Sequence, residues 1–209
     1  KPGEEFWDIP SVSYRGQTGT YRVFEKMTKS MTQDKLAEFY ETEKQKGNPH
    51  PMNSALHYAI WLRAYNLRNQ GVEEAESFRN FLQERLRHHP NTLTRAVYNP
   101  EQDDWIIHNY GTSDQYSLEL NLVGKDDWIS ELDDKSVLKS LIGTENVEEI
   151  NAVSQWINNT NCFLWRENSK PSEKQERVVG FFADSGRLGL NCGRDSLAEC
   201  PAFRVLRIE

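Results

Sequence analysis

Three cysteines in 209 residues, Cys162, Cys192 and Cys200, are too few for a disulfide framework. Cys192 and Cys200 could pair across a loop, but Cys162 and Cys192 read better as small core residues and Cys200, just before Pro201, as a free loop thiol. No Cys-x-x-Cys pair and no Cys/His cluster of zinc spacing occurs, which argues against a structural metal, and no cofactor is expected. Positive charge is also short: 25 Lys and Arg face 32 Asp and Glu, a formal charge of −7. A surface that tracks nucleic-acid phosphates needs clustered Lys and Arg, so nucleic acid is not an expected partner. No apolar run approaches the roughly 20 residues that span a bilayer, so no transmembrane segment is expected. The opening Lys1-Pro2-Gly3-Glu4-Glu5 has neither a methionine nor an apolar signal core, so we expect a trimmed beginning, with any targeting segment lost alongside it.

Apolar and aromatic residues, by contrast, are plentiful. The chain is 37% hydrophobic and 11% aromatic, with six Trp, enough for the core of one domain spanning residues 1–209. Residues 1–28 read as turns and short strands around Tyr14-Arg15-Gly16-Gln17-Thr18-Gly19-Thr20-Tyr21. A helical portion follows over about 30–89. Thr32 caps a first helix carrying Leu36, Phe39 and Tyr40, which stops near Gly47-Asn48-Pro49. Asn53 or Ser54 caps a second that ends at Gly71, and a third runs from about Val72 to His88-His89 before Pro90. The period then changes to two: 93–98 and 105–110 predict a hairpin, and 115–123 a further strand with Tyr116, Leu118, Leu120 and Leu122 on one face. Short helices are predicted at 136–142 and at 147–157, the latter capped by Thr144, and a strand at Cys162–Trp165. The fold class is α+β, a helical N-terminal half buttressing a small mixed sheet.

Motifs that would carry catalysis are weak. Asp103-Asp104-Trp105 and Asp126-Asp127-Trp128 repeat an acidic pair before an aromatic, with Asp133-Asp134 close behind, yet no EF-hand spacing accompanies them. Acidic pairs before a buried aromatic more often are solvated turns or helix starts. Cys162 with His108, or Ser154 with a nearby acid, could be drawn as nucleophile and base, but neither sits in a recognisable elbow. Gly16-Gln17-Thr18-Gly19 lacks the lysine and the following helix of a phosphate loop, and Asn158-Asn159-Thr160 is a glycosylation triplet of the kind that arises by chance. An enzyme or calcium-dependent binder using Cys162 or the Asp103/Asp104 and Asp126/Asp127 acids is the alternative reading; the main one is not an enzyme.

The last thirty residues carry the main reading. Phe181, Ala183, Leu188, Leu190, Cys192, Phe203 and Val205 form one apolar series, and the intervening Phe182, Asp184, Gly186, Gly189, Asn191, Gly193, Asp195 and Ser196 share no chemical theme. Glycine weakens a strand, and nothing obvious requires Gly186, Gly189 and Gly193 on an outward face. Such a face reads as a display surface, with Phe182 as aromatic anchor, Arg187 as donor fork, and Asp184, Asn191 and Asp195 as orienting groups.

The run Val179-Gly180-Phe181-Phe182-Ala183-Asp184-Ser185-Gly186-Arg187-Leu188-Gly189-Leu190-Asn191-Cys192-Gly193-Arg194-Asp195, followed by Pro201-Ala202-Phe203-Arg204-Val205, resembles the variable region of diversity-generating retroelement variable proteins. Taken whole, the chain looks most like their archaeal (Nanoarchaeota) branch. The resemblance implies a C-type lectin-like fold, in the branch related to formylglycine-generating enzymes. In that family template adenines are replaced during reverse transcription, so asparagine codons become Gly, Asp, Ser, Phe, Leu, Arg or Cys but not Lys, Glu, Gln, Met or Trp. Gly180, Phe182, Asp184, Gly186, Gly189, Asn191, Gly193, Asp195 and Ser196 all fall in the permitted set, whereas Lys170 and Glu199 do not. The resemblance thus implies a ligand-binding region over about 178–205, formed by those nine residues with Arg187, and an unidentified protein or cell-surface partner. A cell-surface or extracellular location goes with it. Ala202 stands where many members have glycine, and the tail Arg207-Ile208-Glu209 matches no family motif.

Overall fold

The computed structural model describes residues 3–209. Two strands open it, β1 (Phe6–Tyr14) and β2 (Gln17–Phe24), joined by Arg15 and Gly16. Both connecting residues have positive φ, 50° and 72°, the backbone twist that suits a two-residue hairpin. The helical N-terminal half is therefore not what forms: two strands of nine and eight residues precede the first helix. In β2 the period of two is clean, with Gly19, Tyr21 and Val23 buried. In β1 a bulge at Pro10–Ser11, with Ser11 at φ 56°, turns both Ile9 and Val12 inward and hides the alternation.

Three helices follow: α1 (Gln33–Gln45), α2 (Ser54–Asn69) and α3 (Glu74–Leu86). Thr32 caps α1 by accepting from the Lys35 N–H, and Asn53 caps α2 by accepting from the Leu56 N–H. The expected hairpin appears as β3 (Asn91–Tyr98) and β4 (Asp104–His108), and β5 (Tyr116–Leu120) pairs with β4. β5 is shorter than its pattern implied; Leu118 is exposed, whereas Leu122 lies beyond the strand and is buried. A two-residue β6 (Asp127–Trp128) precedes α4 (Ser136–Ile142) and α5 (Val147–Asn158). The α5 cap is Asn146, whose side chain accepts from the Glu149 N–H; Thr144 instead accepts from the Asn146 N–H. The chain ends with β7 (Cys162–Trp165), β8 (Gln175–Ala183), β9 (Leu188–Asp195) and β10 (Arg204–Arg207).

The result is a mixed α/β fold with five helices and two sheets among the described residues. One sheet has the order β1-β2-β10; the other is not small, with seven strands ordered β5-β4-β3-β8-β9-β7-β6. All pairings in it are antiparallel except β7 with β9. One apolar cluster joins both sheets through α2, α3, α4 and α5. Trp7 of β1 stacks on Phe81 of α3 at 4.4 Å, and Phe203 meets Phe81 edge-on at 5.6 Å.

Two histidines sit inside this core. His57 of α2 packs against Phe181, Phe203 and Trp61, and neither ring nitrogen has a hydrogen-bond partner among the described residues. Burial alone pushes its pKa down to about 3. His108 of β4 is satisfied: Nε2 lies 2.8 Å from the Ser140 carbonyl, which only an N–H can serve, leaving Nδ1 to accept from the Thr94 hydroxyl at 2.9 Å. Burial pushes it down to about 4.

Candidate functional site

β8 and β9 form the hairpin on which the sequence pattern concentrates. Its four-residue connection, Asp184 to Arg187, is an Asx-type turn: Asp184 Oδ1 accepts from the N–H groups of Gly186 and Arg187, both at 2.8 Å. The Asp184 N–H closes the turn by donating to the Arg187 carbonyl at 2.9 Å. Asn158, at the end of α5, then fastens the tip. Its Nδ2 donates to the carbonyls of Asp184 (2.9 Å) and Arg187 (3.1 Å). That amide belongs to the glycosylation triplet, and with Asn158 buried and bonded the triplet serves structure here.

The inner side of the hairpin is core. Phe181, Ala183, Leu188, Leu190 and Cys192 are all buried, as are Phe203 and Val205 from the closing segment. The outer side divides. Asp184, Gly186 and Asp195 are exposed, and Arg187, Asn191, Gly193 and Ser196 are partly exposed. Gly180, Phe182 and Gly189 are buried on that side, contrary to the expected display role. The register explains it, because Phe163 of β7, Gly189 of β9 and Phe182 of β8 lie in one row across the sheet. Phe182 folds flat over Gly189 to reach Trp165, 4.4 Å away between ring centres, and is only 2% exposed. A Cβ on Gly189 would stand 2.4 Å from Phe182 Cζ and 2.7 Å from the Phe163 carbonyl, so this glycine is required by packing.

Gly180 has a similar duty. A Cβ there would meet the Arg194 guanidinium at 2.3 Å. Arg194 crosses the glycine to donate through Nη1 to the carbonyls of His89 and Pro90 and to Asn91 Oδ1, tying the α3–β3 connection to β9. Gly186 and Gly193 are different, since a Cβ at either meets nothing closer than 3.6 Å. Two of the four glycines are thus structural and two are free of steric duty.

Beside the hairpin, β7 contributes residues that the pattern of the terminal segment could not supply. Cys162 and Leu164 point to the core, while Phe163 and Trp165 face outward with the display side. Together with Trp128 of β6 they make a contiguous aromatic band: Trp128 to Phe163 is 5.2 Å, Phe163 to Trp165 is 5.1 Å, and Trp165 reaches Phe182. The Arg187 guanidinium lies over this band, 4.6 Å from the Trp165 ring centre and 5.0 Å from that of Phe163. A groove of about 470 Å³ opens next to it, lined by His89, Trp165, Glu167, Phe182, Asp184 and Asn191 among others. Partial burial and the neighbouring Arg194 hold His89 below its ordinary pKa, against the pull of Asp184.

No known family model, curated protein or solved structure matches the chain.

The residues of the alternative reading are placed elsewhere and otherwise employed. Cys162 is sealed in the core, and burial pushes its thiol up to about 12, far from a thiolate nucleophile at neutral pH. Asp104 is fully buried: Oδ1 accepts from the Asn99 N–H and from Lys170 Nζ, and Oδ2 accepts from the Leu122 N–H. It is a staple between loops. Asp126 Oδ1 accepts from the Arg166 N–H. Among the described residues no group of three or more His, Cys, Asp or Glu side chains is placed to hold a metal ion, and no helix is long and apolar enough to cross a membrane. All three cysteines are unpaired thiols, two of them buried.

Proposed function

We propose that the chain is a ligand-binding variable protein of the archaeal retroelement class, with a C-type lectin-like domain. Its outer hairpin face would recognise a protein or cell-surface partner without chemistry. The observation that carries this reading is the division of β8–β9. One side is sealed into the core, while the other presents Asp184, Gly186, Arg187, Asn191, Gly193, Asp195 and Ser196 to solvent. Support for the fold assignment is coarser: an α/β chain whose segment Ala202-Phe203-Arg204-Val205 runs into a closing strand, as the resemblance implies. Gly180, Phe182 and Gly189 belong to the scaffold in this reading, so the displayed set is the other seven residues.

The test has two parts. Replacing Gly193 and Ser196 together by Ala is expected to leave the melting temperature within about 2–4 °C, since neither side chain position bears a bond or a close contact and such surface changes lie within roughly ±0.5 kcal/mol each. Phe182→Ala, in contrast, is expected to lose roughly 3–5 kcal/mol as a buried aromatic. The class itself is tested at the DNA level. A near-copy of the segment encoding residues 178–205, differing only at adenines and lying near a reverse transcriptase gene, is expected. Related genes that vary uniformly along their length would refute it.

A further inference from the structure

The display face carries one group whose binding capacity is unspent. Arg187 is partly exposed, lies over Trp165 and Phe163, and its guanidinium N–H groups donate to no acceptor among the described residues. The other guanidiniums nearby are engaged. Arg194 is bonded to His89, Pro90 and Asn91, Arg166 to the carbonyls of Lys125 and Leu122, and Arg177 to Glu167 and Gln175. The aromatic contact positions the Arg187 guanidinium without using its donors, so its N–H groups stay available to an oxyanion. Asn191 sits opposite Trp165 in the β7–β9 register. Its Oδ1 accepts from the Gly193 N–H, leaving the amide N–H pair without an acceptor among the described residues.

We infer that Arg187, over the Trp165–Phe163 shelf on the face that also carries the Asn191 amide, is a receptor for a single side-chain carboxylate on a protein partner. A carboxylate fits better than a phosphate. The face offers one free guanidinium, the chain carries a formal charge of −7, and the exposed Asp184 carboxylate lies at the same turn. A dianion would meet that repulsion with a single cation, whereas a monoanionic carboxylate matches one fork. The aromatic shelf gives the methylene stem beside a side-chain carboxylate an apolar wall. This inference rests on the display reading of the same face and names the chemistry it takes.

The experiment follows the Arg Nε–H signals of the whole protein by nitrogen-15 NMR, assigning Arg187 by its loss in Arg187→Gln. The probes are a blocked Gly-Glu-Gly peptide, which carries one carboxylate, sodium acetate and inorganic phosphate. The expected result is a saturable shift of the Arg187 signal with the single-carboxylate peptide, several-fold tighter than acetate. Arg187→Lys, which keeps the charge but not the fork, is expected to weaken the peptide several-fold with an unchanged melting curve. A signal that does not move, an equal shift on exposed Arg15 or tighter binding of phosphate would each overturn the inference. Peptide binding that survives Arg187→Gln but is lost in Asn191→Ala/Asp195→Ala overturns the fork while keeping the face as a binding surface.

Discussion

Acid should unfold this protein through two core histidines. A buried base with a depressed pKa takes up its proton more readily when unfolded, so stability falls as pH drops from the ordinary histidine value of 6.5 toward the folded values of about 3 for His57 and about 4 for His108. The loss is absent at pH 7 and grows by about 1.4 kcal/mol per pH unit for each ring. At pH 5 each histidine costs about 2 kcal/mol, together about 4 kcal/mol. That is a large share of the ~5–15 kcal/mol of a typical domain. For a chain of this size it corresponds to a melting temperature about 8–16 °C lower. His50, also held below its ordinary value by burial, adds in the same direction. Carboxylates contribute little in this window because they titrate lower. The assay is a pair of thermal melts at pH 7 and pH 5, with His57→Leu alongside. The variant should lose about half of the pH-dependent drop whatever its absolute stability. A wild-type difference below about 3 °C, or an undiminished drop in His57→Leu, would show that these rings are not held neutral in the core.

Gly189→Ala should destabilise by roughly 1–3 kcal/mol through the collision with Phe182 and the Phe163 carbonyl, whereas Gly193→Ala should stay within roughly ±0.5 kcal/mol. Urea titration of both variants checks the pair, and equal effects would refute the row of close contacts. Asp104→Ala leaves two buried N–H groups without their acceptor and removes the anion paired with Lys170, and is expected to cost roughly 3–5 kcal/mol in the same assay. A variant as stable as the parent would refute the staple. Asn158→Ala removes the donor to both turn carbonyls. It is expected to cost roughly 1–3 kcal/mol and to speed hydrogen exchange in residues 184–187 selectively.

Local signals in the sequence were strong wherever a single element supplied them. Thr32 and Asn53 mark their helix starts because a short oxygen side chain serves an orphan N–H three residues on, a purely local arrangement. The inward series of the terminal hairpin was legible for the same reason: alternation is a property of one strand. What one strand cannot reveal is its neighbour. Phe182 reads as exposed until β7 is placed beside β9, when Trp165 packs against it and Gly189 becomes a steric necessity. The strand Cys162–Trp165 was expected, but only the parallel pairing with β9 puts Phe163 and Trp165 on the hairpin's face. Likewise the Ser11 bulge hid the alternation of β1, so residues 1–28 read as turns and short strands and not as a long hairpin. Asp104 resembled one half of an acidic pair because its partners, Lys170 and Leu122, lie 66 and 18 residues away.

The proposed recognition surface lies on β9 and on the turn that joins it to β8, the two strands being flanked by β3 on one side and β7 on the other. Their main-chain ladders are engaged along both borders, so altering an outward side chain neither uncovers a sticky rim nor slackens the frame beneath it. With that turn fastened by Asn158, the platform has little ordering entropy left to lose on docking. Its repertoire is correspondingly confined to shallow relief, and partners presenting a flat patch suit it better than partners that must be enveloped.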